Sequence, residues 1–170
     1  MLDGELIPRA FYLRPVAEVA RDLLGQILWR EGVALRITEV EAYGGPEDSA
    51  SHCRHGRTPR NAPMWQEGGC AYVFRCYGIH HLLNVVTGPE GQGSAILIRS
   101  AEVLAGQDYV RERRRGSLDC RGPGKVGEAL GLDLNFNGHC LDEPGGLELR
   151  IGTPVSTILM GPRVGIDYAR

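Results

Sequence analysis

Ile37-Thr38-Glu39-Val40-Glu41-Ala42-Tyr43-Gly44-Gly45-Pro46-Glu47-Asp48-Ser49-Ala50-Ser51-His52 decides how this chain is read. It opens as an alternating strand and breaks at Gly44-Gly45-Pro46, where glycine and proline end regular pairing. It resumes as a polar run ending in an imidazole. Extended backward, residues 34–43 form a strand that the Glu31-Gly32 turn joins to a second strand over 26–30, an antiparallel hairpin. Side chains alternate along a strand, so Leu35, Ile37, Glu39, Glu41 and Tyr43 are expected on one face. A carboxylate, a phenol ring and an imidazole are thus delivered together at one strand end.

Outward from this stretch the pattern stays mixed. Pro15 followed by Val16, Val19, Leu23 and Leu24 predicts a helix over 15–24 that Gly25 stops. Residues 44–69 read as a functional loop with a short helix. Tyr72 and Phe74 mark a strand and 81–87 another, with Cys76-Tyr77-Gly78-Ile79 as the tip of the hairpin between them. A short buried strand over 94–99, helices over 105–115 and 123–130, and a late strand over 147–151 complete the reading. Together these predict a single α+β domain over residues 1–170. Its core is a curved antiparallel β-sheet with surrounding helices and a protruding β-hairpin.

Composition narrows the function classes. The chain has 170 residues, 42% hydrophobic and 24% charged, which suits one soluble domain with a real core. No apolar run approaches the ~20 residues of a membrane helix. The start lacks a basic segment followed by an apolar one, so a cytoplasmic protein without membrane partners is expected. Five cysteines with no Cys-x-x-Cys read as reduced thiols. The net charge of −2 does not mark a nonspecific nucleic-acid binder, but 18 of the 19 basic residues are arginine, the better bidentate phosphate ligand. Two arginine clusters stand out, around Arg54, Arg57 and Arg60 and around Arg111, Arg113, Arg114 and Arg115.

On residue chemistry alone, Glu41 is either a solvent-facing strand glutamate or a general base. Tyr43 is either a rim tyrosine or a platform for a flat ligand. Glu39 and Glu41 would lie roughly 7 Å apart. That is within the ~6.5–9.5 Å separation of inverting glycosidases. A carbohydrate hydrolase is therefore weighed, but three Phe, six Tyr and two Trp are few aromatics for a sugar site. His52, Cys53 and His55 lack zinc-like spacing, and no metal is expected.

Glu-Ala-Tyr at 41–43, Gly-Pro-Glu-Asp at 45–48, His52 and Arg57-Thr58-Pro59-Arg60-Asn61 together resemble the alkyladenine (3-methyladenine) DNA glycosylase family. The likeness runs from about residue 23 to 132, and weakly through Gly165-Ile166-Asp167-Tyr168-Ala169. It implies a monofunctional glycosylase of base excision repair. Such an enzyme flips alkylated or deaminated purines (3-methyladenine, 7-methylguanine, ethenoadenine, hypoxanthine) out of double-stranded DNA and hydrolyses the N-glycosyl bond. A noncatalytic damaged-DNA-binding module is the alternative. The resemblance implies no cofactor, a monomer, and a bacterial, nucleoid-associated setting. The family's chains continue past 170 residues, so the domain is expected to stop short of their C-terminal end.

Residue by residue, the resemblance makes Glu41 the catalytic base, with Tyr43, His52, Phe74 and Asn84 around the flipped purine. Phe74 stands where the family often has tyrosine, which keeps the ring and loses the hydroxyl. Tyr77 matches the residue that wedges into DNA, and Ile79 flanks it where some relatives carry methionine. Arg99, Arg60 and Lys125 are implied as support for the site or for the DNA backbone.

Gly122-Pro123-Gly124-Lys125-Val126-Gly127 spells G-x-G-x-x-G. No apolar strand leads into it and Pro123 lacks an amide donor, so it is not a dinucleotide site. Lys125 is the only lysine, in a segment the family does not use for Schiff-base chemistry, so simple hydrolysis to an abasic site is expected.

Overall fold

The computed structural model describes residues 4–166, so Asp167, Tyr168 and Ala169 of the weak C-terminal likeness lie outside the described residues. The elements are α1 (Arg9–Tyr12), α2 (Val16–Leu23), β1 (Ile27–Arg30), β2 (Val33–Tyr43), β3 (Ala71–Cys76), β4 (His80–Thr87), β5 (Ser94–Ala105), α3 (Gln107–Arg113), β6 (Cys120–Arg121), α4 (Pro123–Ala129) and β7 (Glu148–Arg150). Short 3₁₀ turns occur at Ala62–Trp65 and Leu134–Phe136.

All strand pairs are antiparallel, in the order β3-β4-β5-β2-β1-β7, with β6 against β5. The sheet curls into a half-barrel within one α+β domain, as the alternation pattern predicts. Both turn residues between β1 and β2 adopt positive φ (Glu31 49°, Gly32 80°), which Gly32 takes without steric cost and Glu31 does not. That backbone matches the right-handed twist of paired strands.

One face of the sheet carries the main core. Val19 and Leu23 of α2 and Val126 and Leu130 of the α4 region pack on Leu35, Ile37, Leu83, Val85, Ile96 and Ile98. Burying each such side chain contributes about 1.5–3 kcal/mol. The opposite face is covered by the loop over 44–69, where Cys53 and Met64 meet Tyr72, Val86 and Ala95, with Trp65 and Phe74 at the edge. The candidate site lies on this second face.

Two sequence expectations change. β5 runs to Ala105 instead of ending at Arg99, because it pairs with β2 from Ala34↔Ala105 to Tyr43↔Ala95. Gly106, at φ 78°, then turns the chain into α3. The second change concerns β2. Its register shifts between Ile37, Glu39 and Val40 form a β-bulge. Leu35 and Ile37 enter the main core before the bulge, and Val40 and Ala42 pack against that core after it. Glu41 and Tyr43 therefore project from the other face, and the single continuous face expected over 35–43 does not exist. A one-residue slip inverts every following side chain, and bulges re-aim residues in this way.

The glycines of the G-x-G-x-x-G run serve packing. A Cβ on Gly127 would collide with the His81 carbonyl oxygen, and one on Gly124 would lie 2.9 Å from the His80 ring. α4 thus rests directly on the backbone of the hairpin that carries Tyr77.

Candidate active site

A row of paired residues crosses four strands on the loop-covered face. Tyr72 of β3 pairs with Asn84 of β4, Asn84 with Leu97 of β5, and Leu97 with Glu41 of β2. Tyr43 and Phe74 stand two residues along their strands and share that face. Tyr43, His52, Phe74 and Asn84 line one cavity of about 90 Å³, which Tyr72, Met64, Ala50 and Leu97 complete.

Glu41 sits beside this cavity and is only 7% exposed. Its Oε2 accepts a hydrogen bond from the Tyr43 hydroxyl at 2.8 Å. Its Oε1 accepts from the backbone N–H of Val164 at 2.8 Å, and Arg99 Nη1 lies 3.5 Å away. Arg99 also donates from Nε to Glu39 Oε1 at 3.1 Å, and Ser100 Oγ donates to the other Glu39 oxygen at 2.9 Å. Glu39 is therefore engaged as an ion-pair partner. An ionised carboxylate offers about four lone-pair positions. Among the described residues, Tyr43 and Val164 each donate one hydrogen bond to Glu41, and Arg99 is its ion-pair partner.

His52 and the two β3 rings form a compact aromatic wall. The His52 and Phe74 centroids are 4.5 Å apart, and Tyr72 stacks on Phe74 at 5.5 Å. His52 Nδ1 and the Tyr72 hydroxyl share a hydrogen bond at 2.9 Å. Desolvation against this wall lowers the His52 pKa below its usual 6.5, and the charges of Arg60 and Arg54 lower it further. Burial pushes the Tyr72 hydroxyl up to about 12, so it keeps its proton. The wall thus stays uncharged at neutral pH. Asn84 is buried and donates from Nδ2 to the Tyr72 carbonyl at 3.2 Å, which fixes its amide against the pocket.

The Arg-Thr-Pro-Arg-Asn stretch explains how the loop holds His52. Asn61 is buried. Its Oδ1 accepts from the Thr58 N–H at 2.7 Å and from Trp65 Nε1 at 3.2 Å. Its Nδ2 donates to the carbonyls of His52 and Gly56, each at 3.0 Å. Arg60, next to it, places its guanidinium 5.3 Å from the Phe74 ring centroid at the pocket rim.

Three sequence-selected residues stand apart from the pocket. Tyr77 is 91% exposed and Ile79 71% exposed at the β3–β4 tip. Tyr77 and Gly78 both have positive φ (51° and 69°), and the Ile79 N–H closes the turn on the Cys76 carbonyl at 3.2 Å. A tyrosine in this left-handed region costs about 1–2 kcal/mol. Lys125 on α4 donates to Asp119 Oδ2 at 2.8 Å and does not line the cavity.

Sequence reasoning missed Tyr72, Asp48, Arg163 and Val164. Tyr72 was legible as the i−2 neighbour of Phe74. Asp48 lies in the polar run between β2 and His52. Its carboxylate accepts from the N–H groups of Gly44 and Ala50 and from Arg163. Arg163 and Val164 reach the site from a coil more than a hundred residues away in sequence and carry no local signal. Among the described residues, the one group of metal-type ligands is Cys140, Asp142 and Glu143, away from this site. Asp142 there is already held by Arg9 at 2.6 and 2.9 Å.

The chain is 61% identical over 168 residues to a putative 3-methyladenine DNA glycosylase of Nitrosococcus oceani, covering 97% of this chain and 84% of that protein. It is 49% identical over 170 residues to the DNA-3-methyladenine glycosylase of Arabidopsis thaliana, covering 97% of this chain and 66% of that protein. A putative 3-methyladenine DNA glycosylase of Streptomyces avermitilis is 42% identical over 177 aligned positions, with 97% and 83% covered. Residues 10–170 match the family described as Methylpurine-DNA glycosylase. With pocket, carboxylate and hairpin all inside the matched span, the chain belongs to the methylpurine-DNA glycosylase family.

Proposed function

We propose that this chain is a monofunctional DNA glycosylase of base excision repair that removes alkylated or deaminated purines and leaves an abasic site. The observation that carries the reading is the buried Glu41 carboxylate, oriented by Tyr43 and Val164 at the edge of a pocket walled by His52, Phe74 and Asn84.

In this reading Tyr77 enters the duplex beside the lesion, with Ile79 next to it, and fills the gap left by the extruded base. Extrusion costs a few kcal/mol and is cheapest for a mismatched or damaged base. The extruded purine stacks on Tyr43 and Phe74, at about 1–3 kcal/mol per stacked base. His52 and Asn84 hydrogen-bond its edge. Glu41 takes a proton from water as the glycosidic bond lengthens, and its charge stabilises the oxocarbenium-like sugar. The attacking oxygen bonds the anomeric carbon, and the bond electrons leave with the base. General-base assistance of this kind is worth about 10²–10⁴-fold. Arg99 holds the carboxylate from behind, and Arg60 and Lys125 serve the DNA backbone.

Hydrolysis without strand nicking is favoured because Lys125, the only lysine, is paired with Asp119 and the pocket lining contains no amine. The partner is double-stranded DNA bearing a damaged purine, and the protein acts as a monomer. Among the described residues no helix is long and apolar enough to cross a membrane. The proposed setting is the bacterial cytoplasm at the nucleoid, in keeping with bacterial relatives and five cysteines outside any disulfide.

The test is incubation with duplexes holding one hypoxanthine or ethenoadenine, and with methylated genomic DNA, against a Glu41→Gln control. Release of free base by the wild type alone is expected. Lesion binding without release from any substrate would favour a noncatalytic binding module.

A further inference from the structure

The coil over 152–166 has no regular secondary structure, yet one side chain fastens it to the site. Arg163 forks onto Asp48, with Nη1 to Oδ2 at 2.6 Å and Nη2 to Oδ1 at 3.0 Å. Nη1 also donates to the Ala42 carbonyl at 3.1 Å, and the guanidinium lies 4.8 Å from the centroid of the Tyr43 ring. Asp48 is itself fixed by the amides of Gly44 and Ala50 at the end of β2. The very next peptide brings the Val164 N–H to Glu41 Oε1 at 2.8 Å.

These contacts form one mechanical chain. The loop after β2 holds Asp48, Asp48 holds Arg163, and Arg163 sets where the Val164 amide lies. A carboxylate clamped on one oxygen by a hydroxyl and on the other by an amide has one orientation. We propose that Arg163 is a positioning residue for base excision: it straps the coil across the strand end so that the Val164 N–H and the Tyr43 hydroxyl lock Glu41 in one orientation for taking a proton from water. This rests on reading Glu41 as the general base.

A fork onto a carboxylate uses the planar guanidinium, which an ammonium cannot reproduce. Arg163→Ala and Arg163→Lys are therefore both expected to slow single-turnover base release about 10- to 100-fold, the value of one hydrogen bond to a charged group. Affinity for the lesion duplex should change less than the rate of release, since Arg163 does not line the pocket. Val164→Pro removes the amide proton while retaining the Arg163 guanidinium, and should slow release at least as much. The deciding measurement is the double variant. Arg163→Ala combined with Val164→Pro should be no slower than Val164→Pro alone, because both act through one hydrogen bond.

Multiplicative losses in the double variant, or wild-type rates in Arg163→Ala, would overturn the inference. If either single variant unfolds, the other single variant read against Asp48→Asn decides by the same comparison. Base release that survives Glu41→Gln would instead remove the reading of Glu41 on which this inference stands.

Discussion

The Tyr43 hydroxyl donates to Glu41 Oε2 at 2.8 Å from two residues along the same strand. One side chain thus offers a ring to the pocket and a proton to the carboxylate. The two roles separate in mutants. Tyr43→Phe keeps the ring and loses a hydrogen bond to a charged group, worth about 1.5–3 kcal/mol. Single-turnover release should fall about 10- to 100-fold while lesion-DNA binding stays near wild type. Tyr43→Ala should lose binding as well, by about 1–3 kcal/mol. Equal rates for Tyr43→Phe and wild type would show that the hydroxyl does not orient the base.

Tyr77 is strained and exposed at once, with φ 51° and 91% of its surface open. Glycine removes the left-handed penalty of about 1–2 kcal/mol. It also adds about 0.5–1 kcal/mol of unfolded-state freedom. Tyr77→Gly should therefore leave the fold as stable or raise the melting temperature by roughly 1–4 °C. The same change should weaken lesion-duplex binding by about 1–3 kcal/mol through lost stacking. A gain in stability with a loss of binding, read by thermal melting and fluorescence anisotropy, marks a residue kept for contact with DNA. Unchanged binding would remove Tyr77 from the interface.

α4 packs closely against the hairpin that carries Tyr77. Gly127→Ala drives a Cβ into the His81 carbonyl, and overpacking of this kind costs about 1–3 kcal/mol. The melting temperature should drop by roughly 2–10 °C. If α4 positions the hairpin, release from duplex DNA should fall more than release from a single-stranded substrate, which needs no wedge. Equal losses on both substrates would confine the effect to general stability.

His52 has a lowered pKa because desolvation and the Arg60 and Arg54 charges oppose its cation. A depressed histidine contributes stability that is fully present above the unfolded pKa of about 6.5 and declines as pH falls through the folded value. The His52 ring signal, assigned in NMR spectra by comparison with His52→Gln, should titrate below 6.5. Arg60→Ala should move that midpoint upward. A midpoint above 6.5 would mean that the pocket offers the base a cation instead of a neutral ring.

The dipeptide-level chemistry determined a good deal here. Alternation over 27–30 and 33–43 with Glu31-Gly32 between them sets the β1–β2 hairpin, because Gly32 takes its positive φ without steric cost. Phe74 follows Tyr72 at i+2, so their rings share one face whatever the rest of the chain does. Glycine at 78 sets the β3–β4 turn that exposes Tyr77. These are local properties, and local sequence carries them.

Tertiary structure decided the rest. Perfect alternation would have sent Glu41 to the same side as Leu35 and Ile37, and only the bulge around Glu39 sends it to the pocket. Pairing with β5 creates that bulge, and a single strand's sequence contains no record of its partner's register. Asn61 belongs to a legible motif, but its four hydrogen bonds to Thr58, Trp65, His52 and Gly56 exist only once the loop closes. Arg163 is the extreme case, joined to Asp48 across a separation of 115 residues. Closing so long a loop has no periodicity to announce it, and only the folded chain brings that guanidinium and the Val164 amide to Glu41.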